Sequence, residues 1–438
     1  MNQKKIVVIG LGFVGLSLAA VLSNKGYKVV GIDKDKIKCE KIINKKIPFY
    51  EKDLTEYISR SLKNNLLIEN NFLKCQECEI IFVCVGTPQK ADGRIDLSMI
   101  KQVSKEIGKS ISKNDKKPII FIKSTVIPGT VQNIIKPLIK KHSERVEGKD
   151  YEIISNPEFL QETTAIRDTT SPHIVVIGHD NSKFLQKAKK FFKEIHPKAP
   201  IIITNYQTAE MIKYANNSFL ATKISFINQL SNMCQKIPGS NIDDISHAIG
   251  LDPRIGKLFL NAGPGYGGSC LPKDINAIIN LSNQLGVKPT LFNAVETINE
   301  FQIQHILDII YEKIRTVKNK KISILGLSFK PETDDIRDSI SIKIINKLLM
   351  KNAKIYVHDP LAIENTKKVF GNKIYYSNLL KEVLDESHCC LILTGWEQYS
   401  KINNADISKM KNKLIIDSRR ILKDSNLKCE YIGIGIGN

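Results

Sequence analysis

The chain predicts an α/β fold of two doubly wound parallel sheets joined by a helical region, and three observations carry that prediction. Short β-branched runs alternate with helical stretches over residues 5–177 and again over 321–416, the pattern of repeated βαβ units. The runs at 5–9, 80–85 and 118–123 are apolar almost throughout, as strands covered on both faces are. Between the two regions the apolar period becomes that of long helices, over 208–234 and 291–315. With 438 residues and 42% hydrophobic content, the chain can bury more than one core.

The elements follow in order. The first strand, 5–9, runs directly into Gly10-Leu11-Gly12-Phe13-Val14-Gly15 and a helical run through Leu22. Strand, GxGxxG and helix in that order form a dinucleotide fingerprint: the glycines allow a tight turn and close approach, and phosphate takes the amino end of the helix. The second strand, 28–32, ends at Asp33, an acid placed to bond ribose hydroxyls, which favours NAD over NADP. Lys34, Lys36 and Lys38 follow it as cations that an additional phosphate would meet. The strands at 80–85 and 118–123 end in Gly86-Thr87-Pro88 and Ser124-Thr125-Val126, at the carboxyl edge where open sheets bind ligands. Strands at 153–154 and 174–177 flank a loop, 156–162, that enters a helix with the carboxylates Glu158 and Glu162. On the long helix, Lys213 and Asn217 are four residues apart and share a face. That pair is either an ordinary polar stripe or a pair of donors for a developing oxyanion. Strands at 321–325, 354–357, 389–393 and 414–416 build the second sheet.

The decapeptide GYGGSCLPKD at 265–274 holds the chemistry. Its glycines let the backbone approach a ligand and adopt positive φ. Cys270 follows them, and Pro272 reads as the first residue of a helix, whose amides and dipole lower the pKa of a thiol just ahead of it. Asp274 lies near the same helix edge, within reach of the sulfur or of a water beside it. A buried structural cysteine after a plain glycine turn is the alternative reading of the same residues.

Composition excludes other classes. No apolar run is long enough to span a bilayer, and the start MNQKK leads into a strand rather than a signal peptide, so no membrane partner and a cytoplasmic location are expected. Nine cysteines fit that compartment as free thiols. Cys75 and Cys78 form a CxxC with no second pair nearby, so no metal site is expected. The net charge is +20, but the lysines are scattered without a nucleic-acid motif. Diffuse positive charge draws in small anions such as nucleotides.

The segments GLGFVG (10–15), VGTP (85–88), KSTV (123–126), NPEFL (156–160), KYANNSFLATKISFIN (213–228), DPRIG (252–256), GYGGSCLPKD and FKPETDDIRDS (329–339) occur in that order. Together they resemble the UDP-glucose/GDP-mannose dehydrogenase family over nearly the full length. The resemblance implies two doubly wound Rossmann-like domains joined by a central helical region with a long dimerisation helix. An NAD-binding domain would span 1–203, a helical domain with the catalytic cysteine 204–302, and a nucleotide-sugar-binding domain 303–438.

It further implies oxidation of a nucleotide sugar's primary alcohol to a carboxylate, with two NAD used in succession. Cys270 would capture the intermediate aldehyde as a thiohemiacetal, then hold a thioester that water hydrolyses. By motif, Lys213 and Asn217 are similar to the family's oxyanion stabilisers, and Thr125, Glu158 and Asp274 to residues that hold or activate the water. The implied cofactor set is Gly10, Gly12, Phe13, Val14, Gly15, Asp33, Lys38, Thr87, Thr125, Glu162, Lys273 and Arg337. The implied substrate set is Glu158, Phe159, Leu160, Lys213, Asn217, Arg254, Phe259, Tyr266, Gly267, Lys330 and Arg419, with Arg254 lent by the neighbouring subunit of a homodimer.

Ser269 and Leu271-Pro272 depart from the His and Val-Asp-Pro around the cysteine in the N-acetylhexosamine branch, while Leu-Pro is shared with GDP-mannose enzymes. The helix and glycine loop look more like the UDP-glucose group. His173 stands where many members carry Arg, and Asn216 where the residue is often smaller; neither touches an assigned chemical role. A single-hydride β-hydroxyacid dehydrogenase is the more remote alternative: it shares GxGxxG and Lys-x-x-x-Asn but does not need Cys270.

Overall fold

A computed structural model describes residues 4–113, 116–180 and 182–437. The chain forms two compact units, Met1–Asn216 and Asn217–Asn438, and the helix Tyr206–Cys234 begins in the first and ends in the second.

The first unit holds β1 (Lys5–Ile9), β2 (Lys28–Ile32), β3 (Leu66–Glu69), β4 (Ile80–Val83), β5 (Ile119–Ile122), β6 (Glu152–Ser155), β7 (Val175–Gly178) and β8 (Ile201–Thr204). They form an eight-stranded sheet in the order β3-β2-β1-β4-β5-β6-β7-β8. The strand order reverses between β1 and β4, and the pairings from β3 to β6 are all parallel. Period-two alternation sends Ile6, Val8, Phe82, Phe121 and Ile154 to one face and Val7, Ile9, Ile81, Ile120, Ile122 and Ile153 to the other. Both faces are buried, which is why these strands read as unbroken apolar runs.

The second unit repeats the scheme with β9 (Lys321–Leu325), β10 (Lys354–His358), β11 (Tyr375–Tyr376), β12 (Cys389–Ile392), β13 (Leu414–Asp417) and β14 (Glu430–Gly433). Their order, β11-β10-β9-β12-β13-β14, is that of the first six strands of the other sheet. A detail recurs with it. Asp33, after β2, accepts a bond from the Leu11 amide at 2.8 Å, and Asp359, after β10, accepts one from the Leu327 amide at 2.7 Å. Each acid fixes the turn leaving the first strand of its sheet.

Helices Ile242–Gly250, Leu271–Gln284 and Thr290–Ile314 pack in this second unit. Ser225 donates to the Val295 carbonyl at 2.9 Å, tying the long helix to Thr290–Ile314. Buried Arg420 joins helices and sheet: it donates to Asp243 (3.0 Å), the Ile434 carbonyl (2.8 Å) and the Ala262 carbonyl (2.9 Å).

Several expectations change. β7 runs antiparallel to β6 and carries β8 with it, so the first sheet is parallel only through its first six strands. β3, β8, β11 and β14 were not expected; β8 is a partly exposed edge, and β11 has only two residues. Strands 80–85 and 118–123 shorten to β4 and β5, because the residues beyond leave the ladder as turns. The helix after the decapeptide begins at Leu271, with Pro272 second. The loop 156–162 reaches its helix only at Ala165. Among the described residues no helix is long and apolar enough to cross a membrane.

Candidate active site

In the first unit, the turn after β1 is shaped by glycines whose reasons differ. Gly10 has φ +92°, and a side chain on Gly15 would begin 1.8 Å from the Gly10 carbonyl oxygen. Those two are required by the protein's own packing. A Cβ on Gly12 would meet nothing within 4 Å. Its bareness therefore serves whatever approaches the amino end of helix Phe13–Asn24, and the first-turn amides there suit a pyrophosphate. The residues present fit NAD.

Phe13 packs on Phe49, with ring centroids 4.0 Å apart, and Val14 lines a cavity with Leu18 and Phe82. Asp33 is buried and accepts from Lys38 Nζ at 2.9 Å and the Asp35 amide at 3.0 Å. Burial pushes its carboxyl upward, but these bonds and the Leu11 amide outweigh that and hold it below the usual carboxylate range. The Thr87 hydroxyl donates to the Thr125 carbonyl at 2.7 Å, joining the turns after β4 and β5.

The segment after β6 gathers a second group. Buried Asn156 donates to the Val176 carbonyl at 2.7 Å and accepts from Lys123 Nζ at 3.1 Å. Glu158 accepts from the Leu160 amide at 2.6 Å and pairs with Lys213 at 3.2 Å, with side-chain exposures of only 9% and 5%. Lys213 Nζ also stands 5.4 Å from the centre of the Phe159 ring, and His173 packs edge-on against that ring at 5.8 Å. Glu162 is half-buried in the turn before helix Ala165–Thr170.

Sequence reasoning missed two residues here. Lys123 follows directly on the apolar strand β5. Burial holds its ammonium below the usual lysine value, with Lys213 acting in the same direction and Cys84 and Glu158 opposing. Buried Glu51 accepts from the Thr163 and Ala165 amides at 2.7 and 2.8 Å and so caps that helix. A basic residue ending an apolar strand was the available signal for Lys123. Glu51 had none, because its partners lie far along the chain.

In the second unit, Cys270 is the N-cap of helix Leu271–Gln284 and is exposed, whereas most of the other free cysteines are buried. Burial pushes the Cys75 and Cys84 thiols up to about 12, which leaves them inert. The Ser269 hydroxyl lies 3.5 Å from the Cys270 sulfur. Positive φ occurs at Gly265 (+115°) and Gly268 (+85°).

Asp274 is 1% exposed; it accepts from Asn217 Nδ2 at 2.6 Å and from Lys273 Nζ at 2.5 Å, and its amide donates to the Cys270 carbonyl at 2.9 Å. Cys270, Asn217, Asp274 and Lys273 are thus brought together. An exposed thiol at a helix amino end can attack a carbonyl, and the buried carboxylate of the same helix turn is a group that can receive or release a proton.

The remaining residues expected to touch substrate divide. Arg419 follows β13, donates to the Leu393 carbonyl at 3.1 Å, and stands 2.7 Å from where a Cβ on Gly263 would sit. Burial, with Arg420 adding to it, pushes its guanidinium down to about 10, still charged at neutral pH. Lys330 follows β9 with its ammonium 5.8 Å from the Phe329 ring centre, and Arg337 chelates Asp335 at 2.9 and 2.5 Å. Phe259 is half-buried with φ +64°. Tyr266 is different: its ring is buried with Ala221, Ile275 and Val295, so a ligand at this loop would meet the backbone of Tyr266 and Gly267. Arg254 is exposed and folds back on Asp252 at 2.6 Å.

Models of the UDP-glucose/GDP-mannose dehydrogenase family match in three consecutive pieces, the NAD binding domain over residues 4–196, the central domain over 207–301 and the UDP binding domain over 323–424. UDP-glucose 6-dehydrogenase TuaD of Bacillus subtilis (strain 168) is 36% identical, over 99% of this chain and 93% of that protein. The chain belongs to the UDP-glucose/GDP-mannose dehydrogenase family. UDP-glucose 6-dehydrogenase of Rickettsia bellii (strain RML369-C) is 38% identical over 95% of each chain. A solved UDP-glucose dehydrogenase from Pyrobaculum islandicum superposes with a TM-score of 0.93 at 31% identity, covering 99% of this chain and 98% of that one. In this UDP-glucose/GDP-mannose dehydrogenase family member, the NAD binding piece contains the glycine turn and Asp33, and the central piece contains Asn217, Cys270 and Asp274.

Proposed function

We propose that this chain is an NAD-dependent nucleotide-sugar 6-dehydrogenase that oxidises UDP-glucose to UDP-glucuronate, consuming two NAD and one water. The observation that carries the reading is the exposed Cys270 at a helix amino end, beside the Asn217–Asp274–Lys273 network. UDP-glucose is preferred because Ser269 and Leu271-Pro272 depart from the acetamido-sugar pattern, and because the relatives named above act on UDP-glucose. Three functional segments follow: 1–203 for NAD, 204–302 for the cysteine, and 303–438 for the nucleotide sugar.

Gly10, Gly12, Phe13, Val14, Gly15, Asp33, Lys38, Thr87, Thr125, Glu162, Lys273 and Arg337 are assigned to the cofactor. When bound, NAD supplies the hydride acceptor for both oxidations. The chain's own residues do the rest. Lys213 and Asn217 donate to the oxygen that becomes negative when Cys270 Sγ adds to the aldehyde carbon. The resulting thiohemiacetal keeps the half-oxidised sugar on the protein. After the second oxidation, water adds to the thioester carbon, the carbon–sulfur bond breaks, and the thiol is regenerated with the carboxylate. Thr125, Glu158 and Asp274 hold that water, and a carboxylate among them takes its proton. Arg419, Lys330, Phe259, Phe159, Leu160 and the backbone of Tyr266 and Gly267 are assigned to the nucleotide sugar.

The long helix exposes Phe219, Phe226 and Met233 at intervals of seven residues. An apolar stripe of that spacing is a surface for another helix, so we propose a homodimer in which Arg254 enters the partner's sugar site. A working thiol among nine free cysteines suits a reducing compartment, the cytoplasm. The test is incubation of the purified chain with NAD and UDP-glucose, UDP-N-acetylglucosamine or GDP-mannose. NADH production with UDP-glucose supports the reading; production only with another sugar reassigns the substrate, and production with none removes the activity.

A further inference from the structure

Residues 265–268 must be held in one register if Cys270, two residues on, is to stand in one place. Tyr266 anchors the segment through its buried ring, but a ring in a pocket does not fix the backbone that a ligand would meet. Asn299, on helix Thr290–Ile314, does. Its Oδ1 accepts from the Tyr266 amide at 2.8 Å, and its Nδ2 donates to the Tyr266 carbonyl at 3.1 Å. One side-chain amide thus satisfies both backbone groups of one residue, as a neighbouring strand would.

Asn299 is 5% exposed, so neither bond is shared with bulk water. A Cβ on Gly265 would stand 2.7 Å from Asn299 Oδ1, which leaves a glycine as the residue ahead of the clamp. On the far side, the Gly268 amide donates to the Arg337 carbonyl at 3.0 Å, and a Cβ on Gly267 would lie 2.3 Å from the Asp338 carbonyl oxygen.

We infer that Asn299 is a positioning residue for the proposed reaction: it sets the register of residues 265–268 and thereby the place of the Cys270 thiol. The inference rests on Cys270 as the nucleophile. An amide is required because it both accepts and donates; an aspartate of the same shape accepts from the Tyr266 amide but sets an oxygen against the Tyr266 carbonyl.

The experiment uses the full chain with Asn299→Asp, and Asn299→Gln as the second variant should the first not fold, since it keeps both groups displaced by one methylene. Three quantities are read: kcat and KM for UDP-glucose and for NAD, the rate of Cys270 alkylation by iodoacetamide with Cys270→Ser as the blank, and Tm. Loss of one buried hydrogen bond with an unsatisfied carbonyl corresponds to about a 5- to 100-fold fall in kcat/KM for UDP-glucose. KM for NAD should stay within about twofold, and the alkylation rate should change severalfold. A folded variant with unchanged alkylation and unchanged kcat/KM overturns the inference, as does an equal loss for both substrates that follows Tm. If the parent chain turns over no nucleotide sugar, the proposed function fails by itself, and the alkylation rate alone then decides whether Asn299 places the thiol.

Discussion

Replacing Lys213 by Met probes the pair at the centre of the first unit's site. Lys213 and Glu158 are 3.2 Å apart and at most 9% exposed, so removing the ammonium leaves a carboxylate largely cut off from water. Breaking a buried ion pair from one side costs about 3–5 kcal/mol. Lys123, also close enough to influence Glu158 electrostatically, remains as a partial counter-charge, which puts the expected loss near the lower end, about 3 kcal/mol. Glu158→Gln added to Lys213→Met removes the stranded charge and should recover about 2 kcal/mol of that loss.

The assay is equilibrium urea unfolding followed by far-UV circular dichroism on the parent, both single variants and the double variant. The interaction term of that cycle should be about 2 kcal/mol plus the cost of Glu158→Gln alone, favourable to the pair. A term within about 0.5 kcal/mol of zero refutes the reasoning, because the side chains would then be independent. Activity should fall about 100- to 1,000-fold in Lys213→Met if its ammonium also faces the oxyanion.

Other outcomes follow from the same structure. Gly12→Ala should change stability by no more than about 1 kcal/mol yet weaken NAD binding, whereas Gly15→Ala, whose Cβ would lie 1.8 Å from the Gly10 oxygen, should lose both; equal stability losses in thermal melts would contradict the division. Burial, opposed only in part by the Thr170 carbonyl, lowers His196 from 6.5 to about 4. The folded state therefore keeps this imidazole neutral while the unfolded chain takes up a proton below about 6.5, so stability is lost on acidification from pH 6.5 to 4, by at most about 3 kcal/mol. His196→Phe should flatten that part of the stability profile, and an unchanged slope would show another group at work. Cys270→Ser should abolish net oxidation while leaving UDP-glucose and NAD binding, by calorimetry, within about threefold. Mixing Cys270→Ser with Arg254→Ala chains should restore some activity if Arg254 acts across a dimer, and no rescue after proven subunit exchange would argue against it.

Legibility in the sequence followed locality. The turn at Gly10–Gly15, Asp33 and the helix after Cys270 were readable because each is specified within a few residues. Lys213 and Asn217 were readable as a shared helix face, but their partners were not: Glu158 and Asp274 reach them only through tertiary packing. The reversal at β7 left no trace, since Val175–Gly178 is equally apolar in either direction. The burial of the Tyr266 ring was not legible, because the pocket of Ala221, Ile275 and Val295 is assembled from distant segments. Asn299 was silent for a similar reason: one polar residue on a long helix gives no hint that it will meet a backbone elsewhere.

The ratio of NADH formed to UDP-glucuronate produced, measured together in one reaction, bears most directly on whether Cys270 retains the sugar between two oxidations. A ratio of about two is predicted, with no free aldehyde released. A ratio well above two, or aldehyde accumulating in solution, would contradict it.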